Sequence, residues 1–228
     1  QIAGNLQRIK NGQRRYAITP RIPAGFIQPD QLQKYIDVAN KFGAVLKLTG
    51  SQRIMITNLK AEDVDAAWDM LGMEPAYMVS NRVRSVKICP GTTFCKRAKQ
   101  DSVHLGMQLE RKYLSQEMPS KMKIGVSGCI NSCTESRMKD VGVIGTVEGW
   151  SIYAGGSGGA HPRIGDLIAE VTTEKEALAP LRAVSSLLSK SYTLTPWISA
   201  ACHSGSIVED GQPRQPMPML CSTGTVFG

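Results

Sequence analysis

The sequence predicts an α+β fold in which a split β-α-β unit precedes a second region of helices and strands. Two observations favour this prediction. Apolar residues switch between alternating and helical spacing in the order βαββαβ over the first 80 residues, and the pattern of turn-forming residues changes after residue 81. The chain has 228 residues, of which 42% are hydrophobic, so it is long and apolar enough to bury a core of its own.

The first unit contains strands and helices with clear ends. Its first helix is predicted to begin at an Asp30 N-cap and to stop at Gly43, and its second helix has acidic residues in the first turn and stops at Gly72. A short turn at residues 49–52 joins two strands into a hairpin. This order of elements is typical of the ferredoxin-like fold. The strands are predicted at residues 14–19, 44–48, 53–57 and 76–80.

The second region is predicted to contain further strands and helices and then a tail. Its strands lie at residues 83–88, 121–126, 141–146 and 150–154, and its helices at 98–113 and 174–190. From about residue 195, Pro, Gly and Ser accumulate without periodicity. We therefore expect three parts: residues 1–80, residues 81–194, and a tail over residues 195–228 that is available for an interface.

The charge of the chain indicates an anionic partner. Lys and Arg number 27 against 19 Asp and Glu, which gives a formal net charge of +8. Nucleic acid, a carboxylate-rich ligand and a small oxyanion are all compatible with this excess. The N-terminal stretch is polar and basic, and no apolar run approaches the ~18 residues of a membrane span, so we expect a cytoplasmic chain with reduced thiols and no membrane partner.

Four of the six cysteines form two spaced pairs that favour a metal centre. Cys89 and Cys95 have five residues between them, and Cys129 and Cys133 have three, each pair beside a loop-forming glycine. Thiolate sulfurs are soft ligands that suit zinc or an iron–sulfur cluster, and loops let two distant segments converge. Zinc is a competitor, although its usual sites favour a tighter spacing. Four reduced thiols without a metal are the plain alternative.

Two pairs of motifs resemble those of a known family. The stretches 88–95 (ICPGTTFC) and 126–133 (VSGCINSC) are similar to the sirohaem and [4Fe-4S] module of sulfite and nitrite reductases. Upstream, 20–25 (PRIPAG) and 48–54 (LTGSQRI) resemble the ferredoxin-like half-domain of that family. The likeness points in particular to small single-module, assimilatory-type sulfite reductases and to the sirohaem segment of NADH-type nitrite reductases. It implies a ferredoxin-like half-domain followed by an α/β domain that binds sirohaem and the cluster.

The resemblance assigns the cysteines and several neighbours to these cofactors. It implies that Cys89, Cys95, Cys129 and Cys133 hold the cubane and that Cys133 also bridges to the sirohaem iron. A shared thiolate couples cluster and macrocycle, so an electron reaches the haem iron without a long gap. Further contacts with sirohaem are implied for Asn131, Thr92, Thr93, Gly156, Arg21, Arg97 and Arg163.

The resemblance also implies a substrate site made of cations. Sulfite and nitrite are anions whose oxygens gather charge during reduction, and positioned Arg and Lys side chains bind them, stabilise that charge and supply protons. Lys121 and Lys123, two positions apart on a predicted strand, point to one face. Arg84 precedes the first cysteine loop, and Arg53 contacts the substrate or a sirohaem carboxylate. The carboxylates of sirohaem give the positive charge of the chain a target, so nucleic acid is not an expected partner.

The family resemblance implies a reductase with a separate electron donor. The expected reaction is the six-electron reduction of sulfite to sulfide or of nitrite to ammonia, with electrons from a ferredoxin or a flavoprotein subunit. Both anions require nearly the same cations, so the choice between them stays open. The alternative is a non-catalytic electron-transfer or tetrapyrrole-carrying protein, which would lack the cation set, and a zinc module is a third. Larger family members contain two copies of the module, so either one copy suffices here or a homo- or hetero-oligomer completes the pocket.

Overall fold

The first part of the chain folds as an antiparallel sheet with two helices. The computed structural model describes residues 4–7, 9, 11–76 and 81–178. Helices α1 (Pro29–Phe42) and α2 (Val64–Leu71) pack against each other and share one apolar core with the sheet. The strands are β1 (Asn5–Leu6), β2 (Tyr16–Ile18), β3 (Val45–Thr49) and β4 (Arg53–Leu59), in the spatial order β1-β2-β4-β3.

Both helices of this part end at a glycine in the left-handed conformation. Gly43 after α1 has a φ of 59°, and Gly72 after α2 has a φ of 57°, which side chains with a Cβ adopt only at a cost. The start of α1 corrects the prediction. The N-cap is Gln28 rather than Asp30, because Pro29 has the fixed φ that suits the first helical position. Asp30 lies in the first turn, where its charge complements the helix dipole.

The second part is a mixed five-stranded sheet. The first three strands pair in parallel. The fourth pairs antiparallel with the third, and the fifth pairs antiparallel with the fourth. The connection between the first two strands contains helices α3 (Gly91–Phe94) and α4 (Ser102–Tyr113), and α4 packs its apolar face on the core. The strands are β5 (Lys87–Ile88), β6 (Ile124–Ser127), β7 (Val141–Gly145), β8 (Trp150–Ala154) and β9 (Asp166–Val171), and they lie in this order across the sheet.

The strand predicted at residues 83–88 is much shorter in the structure. Only Lys87–Ile88 pairs as a strand, and Val83 makes a single parallel bridge to Met122. Between them, the backbone N–H of Val86 donates to a side-chain carboxylate instead of to a neighbouring strand. The apolar alternation of this stretch was visible in the sequence, whereas the side chain that replaces the strand partner comes from elsewhere in the chain.

The helix predicted at residues 98–113 begins later, and two strands were not predicted. Asp101 is the N-cap of α4, since its carboxylate accepts from the backbone N–H groups of Val103 and His104. β1 has two residues, too few to show a period, and β9 is partly exposed along its whole length, so neither gives a clear hydrophobic alternation.

Several predicted features lie outside the described residues. These are most of the strand at 76–80, the helix at 174–190 beyond its helical start at 174–178, and the whole tail with Cys202 and Cys221. The division of the chain at residues 80 and 194 stays a prediction. Among the residues that the structure describes, no helix has the length and apolar character needed to cross a membrane.

Candidate cluster and anion-binding site

Two parallel strands bring the paired cysteines to one edge of the second sheet. Cys89 directly follows β5, and Cys129 follows β6 after a single glycine. The two strands are neighbours, with Ile88 opposite Val126. Because parallel strands end at the same edge of a sheet, the loops that follow them start side by side. The fold therefore brings together two cysteine pairs that are far apart in the sequence.

The two cysteine loops are in direct contact through Gly128. Its backbone N–H donates to the Cys89 Sγ at 3.1 Å, and its carbonyl oxygen accepts from the backbone N–H of Lys99 at 2.7 Å. A Cβ on this residue would lie 2.7 Å from the carbonyl oxygen of Gln100, so only glycine fits. An N–H donor aimed at a sulfur also stabilises the thiolate form, which is the form that binds iron.

The second cysteine loop rests on three buried hydroxyl groups. Ser127 Oγ lies 2.7 Å from Thr134 Oγ1 and 3.0 Å from Ser136 Oγ, and the latter two are 2.8 Å apart. Ser127 ends β6 before the loop, and the other two residues follow it. The hydroxyl cluster thus holds both ends of the Cys129–Cys133 turn.

The four cysteines fit an iron–sulfur cluster. All four are free thiols, and their exposure differs. In the part of the chain that the structure describes, no group of three or more His, Cys, Asp or Glu side chains could hold a single metal ion. Free thiols on two adjacent loops have the donor chemistry that an iron–sulfur cluster takes, so the residues present fit that cofactor. Cys89 is buried, Cys95 and Cys129 are half-buried, and Cys133 is exposed.

The four cations predicted for the substrate line one pocket. Its volume is about 220 Å³, which suits a small ligand, and Ser51 and Ser85 add hydroxyl groups to its wall. Two further lysines of the wall are paired: Glu135 accepts from Lys139 at 2.8 Å and from Lys87 at 3.3 Å, and these hydrogen bonds lower the pKa of that carboxyl. The predicted cations that the pocket brings together are Arg53, Arg84, Lys121 and Lys123.

Arg53 is a buried cation with incomplete hydrogen bonding. Its relative exposure is 5%, and its Nη1 makes only long contacts of 3.4 Å with the Ala76 carbonyl and the Ser85 hydroxyl. The Nε has no acceptor among the described residues. Burial lowers the pKa of Arg53, and the nearby charge of Arg84 acts in the same direction, whereas Glu110 raises it. A buried guanidinium of this kind is stabilised when an anion occupies the pocket beside it.

Two of the pocket lysines, Lys121 and Lys123, flank a buried methionine. Lys121 and Lys123 are exposed and Met122 between them is buried, so the alternation that the sequence predicted is present even though β6 begins only at Ile124. The backbone N–H of Lys123 donates to the Asp140 carboxylate at 2.8 Å. Burial raises the pKa of Asp140, and this hydrogen bond opposes that rise. Asp140 thereby fixes the backbone that carries the lysine.

Residues predicted to contact sirohaem are divided between two surroundings. Arg97 and Asn131 line a cleft of about 590 Å³ together with Cys129, and both are exposed. Thr92 and Thr93 are exposed on α3, which begins two residues after Cys89. These four side chains are accessible to a large ligand beside the cysteine loops.

Three other predicted sirohaem contacts already have partners inside the protein. Arg21 donates from its Nε to Glu110 at 3.1 Å and pairs with Glu74 at 3.4 Å. Arg163 pairs with Asp166 at 2.6 Å. Gly156 packs on backbone, since a Cβ there would lie 2.4 Å from the Arg137 carbonyl oxygen. This glycine therefore permits a contact within the protein.

Sequence reasoning missed the polar side chains that support the site. Gln52, Glu110 and Asp140 each bond the backbone of a segment that carries a predicted site residue. One feature of the sequence indicated a role for Glu110. It lies four residues after Gly106 on the buried face of α4, where a carboxylate without a partner is costly. Gln52 gave no such signal, as it lies in a turn.

Family models match the chain over most of the described part. The nitrite and sulphite reductase 4Fe-4S domain matches residues 79–190, and the nitrite/sulfite reductase ferredoxin-like half domain matches residues 7–73. The chain belongs to this family of oxidoreductases, and its cofactors are a [4Fe-4S] cluster and sirohaem. The predicted fold class and family are confirmed.

The proteins similar to this chain include both a sulfite reductase and a nitrite reductase. An assimilatory-type sulfite reductase of Nitratidesulfovibrio vulgaris is 39% identical over 168 residues, which is 73% of this chain and 77% of that protein. An NAD(P)H nitrite reductase of Bacillus subtilis is 42% identical over 164 residues, 72% of this chain, but the chain spans only 20% of it. The structure of the Mycobacterium tuberculosis NirA protein has the same fold, with a TM-score of 0.66 at 23% identity, over 87% of this chain and 40% of that one.

Proposed function

We propose that this chain reduces sulfite or nitrite in the cation pocket and receives its electrons from an external protein donor. The observation that carries the proposal is the convergence of Arg53, Arg84, Lys121 and Lys123 on one small pocket, in the same module as the four cysteines. A carrier protein has no need for this convergence. Four cations packed together favour an anion beside them, even though Glu110 and Asp140 offset part of their charge.

The pocket residues divide the work of binding and protonation. Arg53 and Arg84 stay charged at any physiological pH and bind the oxygens of the anion as hydrogen-bond donors. Lys121 and Lys123 are exposed ammonium groups on the pocket wall, and we assign them as the proton donors for the oxygens that leave as water. The cations also stabilise the negative charge that builds up during reduction.

The cysteine loops hold the electron-transfer centre. We assign Cys89, Cys95, Cys129 and Cys133 to the cluster and, as the family resemblance implies, Cys133 to the bridge; Cys133 is the exposed member of the four. When bound, the cluster and sirohaem supply single electrons and the iron at which the anion is reduced. For the carboxylates and rim of sirohaem we retain Arg97, Asn131, Thr92 and Thr93, which are exposed next to the cysteine loops. We leave out Arg21 and Arg163, which already pair with carboxylates, and Gly156, which packs on backbone.

An anaerobic turnover assay tests this function. The full chain, loaded with both cofactors, is given a reduced viologen dye and either sulfite or nitrite, and sulfide or ammonia is measured. We expect turnover with at least one anion. The variants Lys121→Ala and Lys123→Ala should retain the cofactors and lose activity on the order of 100-fold, since each removes a charged donor from the reacting oxygens.

The control for these variants is Lys47→Ala, a lysine of β3 that lies outside the pocket. It should leave turnover unchanged. A loaded wild-type chain that reduces neither anion would support the non-catalytic alternative. Normal turnover in both pocket variants would remove the proposed site.

A further inference from the structure

The segment from Arg84 to Ile88 links the cation pocket to the first cluster cysteine. Arg84 lines the pocket, and Cys89 directly follows Ile88. On one side, backbone hydrogen bonds join the segment to the neighbouring strand region. The backbone N–H of Arg84 donates to the Met122 carbonyl at 2.8 Å, and that of Cys89, which follows the segment, donates to the Val126 carbonyl at 3.1 Å. The other side belongs to the edge strand of the sheet, because β5 is the first strand in the order β5-β6-β7-β8-β9.

Two side chains, rather than another strand, bond this open edge. Gln52, in the turn between β3 and β4, accepts from the Ile88 N–H at 2.9 Å and donates to the Ile88 carbonyl at 2.6 Å. Glu110, on α4, accepts from the Val86 N–H at 2.9 Å. An unpaired strand edge needs partners, and a side-chain amide that both donates and accepts reproduces the pattern of a paired strand.

The two side chains also connect the halves of the molecule. Glu110 is fully buried and accepts from Arg21 of the first half at 3.1 Å, while Gln52 belongs to the first half itself. A buried carboxylate is stable only when it is paired and hydrogen-bonded, so Glu110 holds its partners firmly. Its negative charge also favours the charged form of the buried Arg53.

We propose that Gln52 and Glu110 are positioning residues that fix residues 84–88 and thereby set the spacing between the cation pocket and the cluster ligand Cys89. Neither side chain touches the substrate in this proposal. Their effect passes through the backbone. A displaced segment moves Arg84 away from the other cations, and it moves Cys89 relative to the Gly128 N–H, which donates a hydrogen bond to the Cys89 sulfur. This inference rests on the proposed function of the pocket.

Hydrogen exchange measures the clamp without any turnover. In the full chain, Gln52→Leu removes both hydrogen bonds at nearly constant volume, and Glu110→Gln removes the charge at constant shape. In Gln52→Leu the Ile88 N–H loses its acceptor, so we expect its amide to exchange on the order of fivefold faster. In Glu110→Gln one acceptor oxygen becomes an NH2 donor and the charge is lost, so the contacts to Val86 and Arg21 are no longer both satisfied, and we expect faster exchange at the Val86 amide. The amides of β7 and β8 should keep their rates. Unchanged exchange at residues 84–88 in both variants would overturn the clamp.

Two further measurements separate positioning from a purely structural role. With cofactors bound, we expect each variant to shift the midpoint potential or the EPR line shape of the cluster and to raise the KM for the anion more than it lowers kcat. Faster exchange with an unshifted potential, an unshifted line shape and wild-type kinetics per bound cofactor would overturn the positioning role. If the wild-type chain shows no turnover at all, the proposed function fails, while the exchange rates and the cluster signals still decide the clamp.

Matched controls and a milder variant keep the test sharp. Gln33→Leu and Glu117→Gln change the same residue types at exposed positions, where Gln33 bonds Asp37 and Glu117 pairs with Arg82. Both should behave as wild type. If Gln52→Leu does not fold, Gln52→Glu serves instead, since it keeps the acceptor for the Ile88 N–H and loses only the donor to the Ile88 carbonyl.

Discussion

At the scale of single residues, the four cysteines differ in what surrounds them. Cys89 is buried and bonded through its sulfur to Gly128 N–H and to the Ser102 hydroxyl, each at 3.1 Å, whereas Cys133 is exposed. A buried sulfur with two hydrogen-bond partners is fixed in place, and an exposed sulfur is available to a second cofactor. The assignment of Cys133 as the shared ligand stays a prediction, with which its exposure is compatible.

Replacing the shared ligand should uncouple the two cofactors. In Cys133→Ser, a hard hydroxyl takes the place of a soft thiolate, so we expect loss of cluster–sirohaem coupling and at least about a tenfold fall in dye-linked turnover. Mössbauer or EPR spectroscopy of the reduced protein reports the coupling directly. Cys202→Ser, outside both cysteine pairs, is the control and should keep the wild-type spectrum. A Cys133→Ser protein with an unaltered spectrum and full turnover would contradict the assignment.

The residues that could be predicted from the sequence are those whose chemistry is rare or local. The spacing of the paired cysteines, and of two lysines two positions apart on a predicted strand, is visible in the sequence itself. Lys121 and Lys123 line one pocket in the structure. The partners of Gln52 and Glu110, Ile88 and Val86, could not be predicted, because they lie far away in the sequence and only the fold brings them together. Arg21 was expected to be available to sirohaem for the same reason: nothing local indicates its buried partner.

At the scale of elements, the parallel pair β5 and β6 brings two distant cysteine loops together. The loops meet so closely that glycine is required where they touch. Ends of helices were predictable, since Gly43 and Gly72 both take the left-handed conformation that stops a helix. The length of β5 was not, because side chains from other elements complete its edge.

A methyl group between the loops should separate them. In Gly128→Ala the new Cβ would lie 2.7 Å from the Gln100 carbonyl oxygen, so we expect a loss of about 1–3 kcal/mol in the free energy of unfolding and a lower iron content. Chemical denaturation and iron analysis of the purified protein measure the two effects. Gly158→Ala is the matched control, because its Cβ would meet nothing closer than 3.7 Å. Equal stability and equal iron content in the two variants would refute close contact of the loops.

At the scale of the whole molecule, the described residues contain the cysteines, the cations and the contacts that connect them. The first half contributes Arg53 and Gln52, and the second half contributes Arg84, the two lysines and the cysteines. The salt bridge between Arg21 and the fully buried Glu110 crosses between the halves. The net charge of +8 fits a chain that binds a carboxylate-rich macrocycle and a small anion.

Cofactor stoichiometry decides whether this chain holds both a cluster and a sirohaem. The full chain is purified and reconstituted without oxygen, and its iron and sirohaem are quantified. We expect one sirohaem and about five irons per chain, four in the cubane and one in the macrocycle. A colourless preparation that binds neither iron nor tetrapyrrole after reconstitution would contradict this expectation.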